Sequence, residues 1–310
     1  MTDFLIPVLV IVGPTASGKT DLAVKCALRF NGEIVSADSM QIYKGMDIAT
    51  AKPTAEEMKG IKHHLTDFLA PEKKYSVADY VRDAKKAVFD INSRNKLPII
   101  SGGTGLYVDS LIENVKFIDI PTDFNLRDSL QKRLADDGAL KLLEELAEFD
   151  AESAKNLHPN NTKRIVRAFE VYELTGKTMT QLEAESKNEP SPFLPVFIGI
   201  NYRDRNVLYD RINRRVDIML SSGLLQEAEK YFNMKGVTSV QAIGYKELAP
   251  YFDKKLSLDK CVENLKQATR NYAKRQLTWF RRNKNINWVY PDDYNSSDAF
   301  YDAVYKIIER

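Results

Sequence analysis

A phosphate-binding loop is indicated near the amino terminus by the pattern G-x-x-x-x-G-K-[ST], which matches Gly13, Pro14, Thr15, Ala16, Ser17, Gly18, Lys19 and Thr20. The backbone N–H groups of such a loop, and of the helix that follows it, point into one concavity that favours phosphate oxygens. Lys19 adds a positive charge, and the Thr20 hydroxyl is the usual ligand of Mg²⁺ on a diphosphate or triphosphate. The loop therefore predicts a polyphosphate bound with Mg²⁺, either as the reacting group or as a leaving group.

A carboxylate and a glycine turn are expected beside this loop. Asp38 directly follows the predicted strand 33–37, and Gly102-Gly103-Thr104-Gly105 directly follows the predicted strand 97–101. Ligands of open α/β sheets bind at the carboxyl ends of the strands, so both should face the phosphate loop. There Asp38 could bind Mg²⁺ through water or act as a general base, and Thr104 could hydrogen-bond a substrate oxygen. The alternative for Asp38 is a structural N-cap of the next segment.

The elements that must position these residues alternate between strands and helices. Segment 5–12 is β-rich and apolar except for Pro7, as in a strand buried on both faces, and segments 33–37 and 97–101 are two further predicted strands. Segments 22–30 and 75–91 have the periodicity of amphipathic helices. This order predicts an α/β fold, with a parallel sheet of the P-loop type flanked by helices.

A helical block interrupts the sheet. Helices are predicted at 126–136, 139–148 and 163–174, and a strand returns at 196–200. We therefore predict a catalytic core formed by residues 1–114 and 194–310, with an all-helical insertion at 115–193. The alternative is a second domain that begins near residue 121 and never returns to the sheet.

Composition excludes several classes of protein. The chain has 310 residues, of which 44% are hydrophobic and 28% charged, as in folded globular proteins. Two cysteines cannot form a disulfide scaffold or a four-cysteine zinc module. The early apolar run is shorter than the ~20 residues of a membrane helix and has no basic residue before it, so we expect a cytoplasmic protein without a membrane anchor.

Basic residues cluster near the carboxyl terminus although the net charge is only +2. Lys266, Arg270 and Lys274 have the spacing of one helix face, and no acidic residue occurs between positions 266 and 284. The apolar stripe predicted behind that face consists of Val262, Leu265, Tyr272 and Trp279. Such a face predicts contact with a nucleic-acid backbone, and its alternative is a solvated cationic helix.

Seven segments, taken together, resemble the tRNA dimethylallyltransferase (tRNA isopentenyltransferase) family. They are the phosphate loop and residues 38–48, 50–53, 102–107, 163–168, 244–247 and 274–281, which occur in the family's order over nearly the whole chain. Ala49 departs from the pattern, because the family usually has glycine there. No Cys/His finger follows the last motif, so the chain resembles the bacterial members.

The resemblance implies a reaction and its residues. A dimethylallyl group passes from dimethylallyl diphosphate, held by the phosphate loop in place of a nucleotide, to the N6 amine of adenosine 37 of tRNA, and diphosphate is released. Asp38 is implied as the base, Lys19 and Mg²⁺ on Thr20 as stabilisers of the leaving group, Thr104 as a contact of the bridging oxygen, and Arg215 as a contact of the diphosphate.

The resemblance also implies that the protein binds the anticodon stem-loop, with the helical insertion gripping the anticodon arm, and we expect a monomer. The implied tRNA contacts are Asp38, Ser39, Met40, Gln41, Thr104, Arg127, Lys163, Arg164, Ile165, Val166, Arg167, Gln241, Ala242, Ile243, Gly244, Tyr245, Lys246, Lys274, Arg275 and Arg281.

Two other functions use the same motifs. A nucleotide or small-metabolite kinase would use the phosphate loop as its donor site and the arginines at 203–215 as a lid. An RNA-binding switch gated by a nucleoside triphosphate would use Asp38 to bind magnesium.

Overall fold

The computed structural model describes residues 5–118, 120, 123–186, 189–234 and 236–310. Six strands form one sheet in the order β3-β2-β4-β1-β5-β6, and every pair is parallel. The strands are β1 Ile6–Val12, β2 Gly32–Ser36, β3 His63–His64, β4 Leu97–Gly102, β5 Phe193–Ile200 and β6 Asn287–Val289. The predicted α/β class with a parallel sheet is confirmed. Strands β3 and β6 were not predicted, because segments of two and three residues are too short to show a pattern.

Fourteen α-helices lie in the described part of the chain. They are α1 Lys19–Arg29, α2 Ala55–Met58, α3 Val77–Ser93, α4 Gly105–Ile112, α5 Phe124–Asp137, α6 Ala139–Phe149, α7 Ala151–Asn156, α8 Thr162–Thr175, α9 Met179–Ser186, α10 Arg205–Ser221, α11 Leu224–Tyr231, α12 Tyr245–Phe252, α13 Leu258–Phe280 and α14 Ser297–Ile308. Among the helices so described, none is long and apolar enough to cross a membrane.

Strand β1 is apolar throughout its centre because helices cover both faces of the sheet. Val8, Val10 and Val12 belong to a core shared with α3 and α4. Leu9 and Ile11 belong to a second core, shared with α1 and α14. The two cores hold β1 in place from both faces of the sheet. The carboxyl end of β1 leads directly into the phosphate loop.

The chain divides into two compact units, one formed by Met1–Ile112 with Pro192–Arg310 and the other by Glu113–Ser191. The bounds of the second unit lie two residues before those predicted for the insertion. Its core gathers Leu130, Leu142, Leu146, Ile165 and Phe169. Two short helices of this unit, α7 and α9, were not predicted, because neither buries a residue and neither has an apolar stripe.

The two ends of the second unit are bonded to each other. The Asn114 side-chain amide donates to the carbonyl oxygen of Pro190 at 3.0 Å, and the Lys116 backbone N–H donates to that of Ser186 at 2.9 Å. The unit therefore begins and ends at neighbouring points.

In the first unit, the segment after β2 is packed rather than free. Ile42, Tyr43 and Met46 are almost fully buried in a third core that helices α10 to α13 complete. This packing places residues 38–52 beside the carboxyl ends of the strands.

Candidate active site

The phosphate loop is a tight turn between β1 and α1. A Cβ atom on Gly13 would lie 2.5 Å from the carbonyl oxygen of Ile200, so this position has no room for a side chain. Gly18 has φ +98° and is the N-cap of α1. Arg211 donates to the carbonyl oxygen of Ala16 at 2.9 Å, which binds the loop to α10. The predicted strand–loop–helix context is therefore present.

Lys19 lies among charged groups. Its amino group donates to the carbonyl oxygen of Pro14 at 2.7 Å. Burial and the nearby Arg215 lower its pKa to about 7, and Asp38 opposes this shift. Burial also lowers the pKa of Arg215, on which Glu57 and Asp38 act in the opposite direction. The structure thus brings Lys19, Arg215 and Asp38 together, and the two cations suit a ligand with several negative charges.

Asp38 caps the turn that follows it. Its Oδ1 accepts hydrogen bonds from the backbone N–H groups of Met40 at 2.9 Å and Gln41 at 3.3 Å. The structural alternative for Asp38 is therefore realised by one oxygen. Among the described residues Oδ2 has no hydrogen-bond partner, so it can accept a proton from a substrate. Thr104 lies beside it, with its hydroxyl accepting from the backbone N–H of Ser39 at 3.2 Å.

The oxygen ligands near the loop fit a magnesium ion. Mg²⁺ is usually held by one or two protein oxygens plus substrate phosphates. Thr20 is half-exposed in the first turn of α1, and the Ser17 hydroxyl is buried without a partner. No cluster of three metal-binding side chains was found in the described ranges, which such a site does not need.

A cavity of about 260 Å³ opens beside these groups. Thr15 of the phosphate loop, Asp38, Arg215 and Tyr272 supply polar lining. Much of the remaining lining is apolar, namely Met40, Ala49, Ile212, Val216, Met219, Leu224, Ala242, Ile243 and Leu265. One cavity therefore combines a phosphate site, a carboxylate and room for an apolar group.

Gln276 of α13 joins the phosphate loop to the glycine turn. Its side chain is buried; Oε1 accepts from the backbone N–H of Thr15 at 2.8 Å, and Nε2 donates to the carbonyl oxygen of Gly103 at 3.0 Å. A Cβ atom on Gly103 would lie 2.1 Å from Nε2, and one on Gly105 would lie 2.1 Å from Trp279. Because neither glycine has a side chain, α13 can pack closely against the glycine turn. Sequence reasoning missed Gln276, although a glutamine amid apolar helix positions is a usable signal.

Glu227 of α11 was also missed. Its Oε2 accepts from the backbone N–H groups of Asp47 at 2.8 Å and Ile48 at 2.9 Å. Its Oε1 accepts from the backbone N–H of Ala49 and from the hydroxyl of Tyr245, both at 2.9 Å. No spacing rule links position 227 to 47–49, so the sequence alone gave no signal for this contact.

Several side chains expected to contact RNA also take part in the fold of the first unit. Gln41 donates to the carbonyl oxygens of Thr50 at 3.2 Å and Ala51 at 3.1 Å. Ala242 and Tyr245 are buried, and Met40 packs against the third core. Of the remaining predicted contacts here, Gln241 and Lys246 are exposed, Ser39 and Ile243 are partly exposed, and Gly244 is buried.

The predicted basic face of α13 needs correction. Lys266 pairs with Asp217 at 2.5 Å, and Arg270 donates to Asn213 at 2.6 Å, so both are engaged by α10. The basic residues of this run that remain exposed are Lys274 and Arg275 and, just after the helix, Arg281, Arg282 and Lys284. The buried stripe also differs, since it consists of Cys261, Leu265, Ala273, Gln276 and Phe280. Val262, Tyr272 and Trp279 are only partly buried.

The second unit holds the remaining predicted RNA contacts. Ile165 and Val166 are buried in its core, which removes their side chains as contacts. Arg127 forms a two-point contact with the buried Glu170, and Arg167 joins the same carboxylate at 3.2 Å. Exposed basic side chains at the start of α8 are Lys163 and Arg164.

Comparison with known proteins identifies the family. A family model described as IPP transferase matches residues 41–283. A protein of Caldanaerobacter subterraneus subsp. tengcongensis named tRNA dimethylallyltransferase is 46% identical over 98% of both chains. One of the same name from Bacillus subtilis is 48% identical over 91% of this chain and 90% of its own.

Two solved structures agree with this assignment. The tRNA isopentenylpyrophosphate transferase of Bacillus halodurans has 42% identity and a TM-score of 0.72, covering 98% of this chain and 97% of its own. A eukaryotic dimethylallyltransferase described as acting on tRNA has 29% identity and a TM-score of 0.81, covering 96% of this chain and 78% of its own. The chain therefore belongs to the bacterial tRNA dimethylallyltransferase family.

Proposed function

We propose that this protein transfers a dimethylallyl group from dimethylallyl diphosphate to the N6 amine of adenosine 37 in the anticodon stem-loop of tRNA. The observation that carries the proposal is the single cavity in which the phosphate loop, the free oxygen of Asp38 and apolar side chains meet. A kinase needs the first two features but gains nothing from the apolar lining. The names of the relatives favour prenyl transfer as well.

Asp38 acts as the general base. The adenine amine is a poor nucleophile because its lone pair is delocalised into the ring. As the bond from N6 to C1 of the prenyl group forms, the bond from C1 to the diphosphate oxygen breaks and the diphosphate leaves with the electron pair. The proton of N6 passes to Oδ2 of Asp38, and such assistance contributes typically ~10²–10⁴-fold.

The diphosphate is stabilised by groups that are already in place. Lys19, Arg215 and the loop N–H groups offset the charge that develops on the leaving group. Thr104 donates to the bridging oxygen by turning its hydroxyl hydrogen away from the Ser39 hydroxyl, to which it donates over a long distance of 3.5 Å. Thr20 would hold Mg²⁺, which would supply further charge neutralisation when bound.

The RNA contacts follow from the exposed basic residues. Lys274, Arg275 and Arg281 of the first unit, and Lys163 and Arg164 of the second, bind the phosphate backbone of the anticodon arm. Adenosine 37 must leave its stack to reach Asp38, which costs a few kcal/mol. We place the reaction in the cytoplasm, where tRNA is found, and take the protein to act as a monomer.

The test combines purified protein with Mg²⁺, labelled dimethylallyl diphosphate and unmodified tRNA, without ATP. Label should enter the RNA at adenosine 37, and a tRNA with guanosine at that position is the matched control. The absence of label from the RNA, together with phosphorylation of a small acceptor in a parallel reaction supplied with ATP, would overturn the proposal.

A further inference from the structure

Two walls of the cavity are bonded to one carboxylate. The first wall is the segment 47–51, from which Ala49, Thr50 and Ala51 line the cavity, and the second is the segment 241–246. Glu227 accepts three backbone hydrogen bonds from the first wall and the Tyr245 hydroxyl bond from the second. Within the described residues, no other side chain forms hydrogen bonds to both segments.

The two walls meet where Glu227 holds them. A Cβ atom on Gly244 would lie 3.2 Å from the Cβ of Ala49, so the walls are already in contact there. Leu224, on the same helix as Glu227, lines the cavity directly. The width of the apolar space therefore depends on the position of α11 and on the bonds that Glu227 makes.

All four groups that donate to Glu227 are neutral, and three of them are backbone N–H groups. A carboxylate has enough lone pairs for four donors, whereas an amide has only one acceptor oxygen. In a Glu227→Gln protein, the oxygen can keep the bonds from Asp47 and Ile48, and the amino group then faces the N–H of Ala49. The substitution thus releases the one anchored residue that lines the cavity.

We propose that Glu227 is a positioning residue that sets the width of the prenyl site and thereby selects a five-carbon chain over longer isoprenoids. The inference rests on the proposed function, because it requires that the apolar lining receives the prenyl group. Glu227 does not touch the reacting atoms; it acts through Ala49 and Tyr245. When Ala49 is no longer held, the first wall can move outward, and the cavity can then accept the additional carbons of a longer isoprenoid chain.

The experiment measures kcat/KM for dimethylallyl diphosphate and for geranyl diphosphate, which has the same headgroup and ten carbons. In Glu227→Gln we expect kcat/KM for dimethylallyl diphosphate, divided by kcat/KM for geranyl diphosphate, to fall by about tenfold or more. One methylene in a fitted apolar pocket already changes kcat/KM about 10–200-fold. The affinity for the anticodon stem-loop should stay unchanged. Tyr245→Phe removes one bond of the four and should lower the ratio less.

The matched control is Glu229→Gln, because Glu229 lies on the same helix and is exposed. An unchanged ratio in Glu227→Gln and Tyr245→Phe, even with lower rates for both substrates, overturns the inference and leaves the proposed function intact. Failure of the wild-type protein to transfer either prenyl group overturns both. If Glu227→Gln does not fold, Tyr245→Phe decides.

Discussion

Lys19 should take up a proton when the diphosphate binds. In the unliganded protein its amino group is held by the carbonyl oxygen of Pro14 at 2.7 Å, and burial with Arg215 nearby lowers its pKa to about 7. A bound diphosphate places negative charge next to the same nitrogen. That charge favours the ammonium form and returns the pKa towards its ordinary value of about 10.4.

The size of the effect follows from these two pKa values. At pH 8 about nine-tenths of the unliganded protein carries neutral Lys19, so binding takes up nearly one proton. Above pH 7 the affinity should fall as the pH rises, by about fivefold to tenfold between pH 8 and pH 9. The terminal phosphate has lost its last proton well below this range, since its pKa is about 6.

Calorimetric titration with dimethylallyl diphosphate and Mg²⁺, in the absence of tRNA, measures both quantities. Two buffers of different ionisation enthalpy give the number of protons taken up. Lys25→Met, on the same helix, should behave like the wild type, whereas Lys19→Met should bind weakly and without proton uptake. An affinity that is constant from pH 8 to pH 9, or an uptake near zero at pH 8, would refute the electrostatic reasoning.

Three further predictions concern individual side chains. Asp38→Asn should lower kcat by ~10²–10⁴-fold with little change in diphosphate affinity, measured by single-turnover transfer, and a normal rate would exclude a base role. Gln276→Met should reduce the free energy of unfolding in urea by about 2 kcal/mol, since it leaves two backbone groups unpaired, with Gln267→Met as the exposed control on the same helix. Glu33 is buried, and the hydrogen bonds from Arg94 hold its pKa well below the usual range, opposed by burial. Because the carboxylate stabilises the fold above the unfolded pKa of about 4.3, the wild type should lose stability as the pH falls from 5 to 3, and Glu33→Gln should lose less over that interval.

Much of the fold could be predicted because its signals are local. The phosphate loop, the strands at its flanks and the helical insertion each follow from a short pattern in the sequence. Strands β3 and β6 could not be predicted in this way, because they are defined by pairing with β2 and β5 rather than by their own residues. Helices α7 and α9 were not predicted because they bury no apolar face and so leave no periodic pattern in the sequence.

In the candidate active site, too, residues in local motifs could be predicted, whereas contacts between distant parts of the chain could not. Parallel strand order predicts that Lys19, Asp38 and Thr104 meet at one edge of the sheet, whereas Arg215 was expected only from the family resemblance. The structure brings Lys19, Asp38 and Arg215 together. The predicted basic face of α13 was partly wrong, because helical spacing cannot reveal that Asp217 of α10 engages Lys266. Glu227 went unnoticed because its contacts join residues far apart in the chain.

The bonded ends of the second unit have a consequence for how the nascent chain matures. Strand β1 pairs on one side with β4 and on the other with β5, and the whole second unit is synthesised between β4 and β5. During that interval the β5 side of β1 is an open edge, which is a hazard for aggregation on the ribosome. The second unit is one continuous stretch of chain. Once it has formed, the hydrogen bond from Asn114 to Pro190 joins two points that lie only a few residues from the end of α4 and from Phe193, the first residue of β5. A long insertion is thereby converted into a short loop, and the entropy lost in closing the sheet becomes that of a short connection.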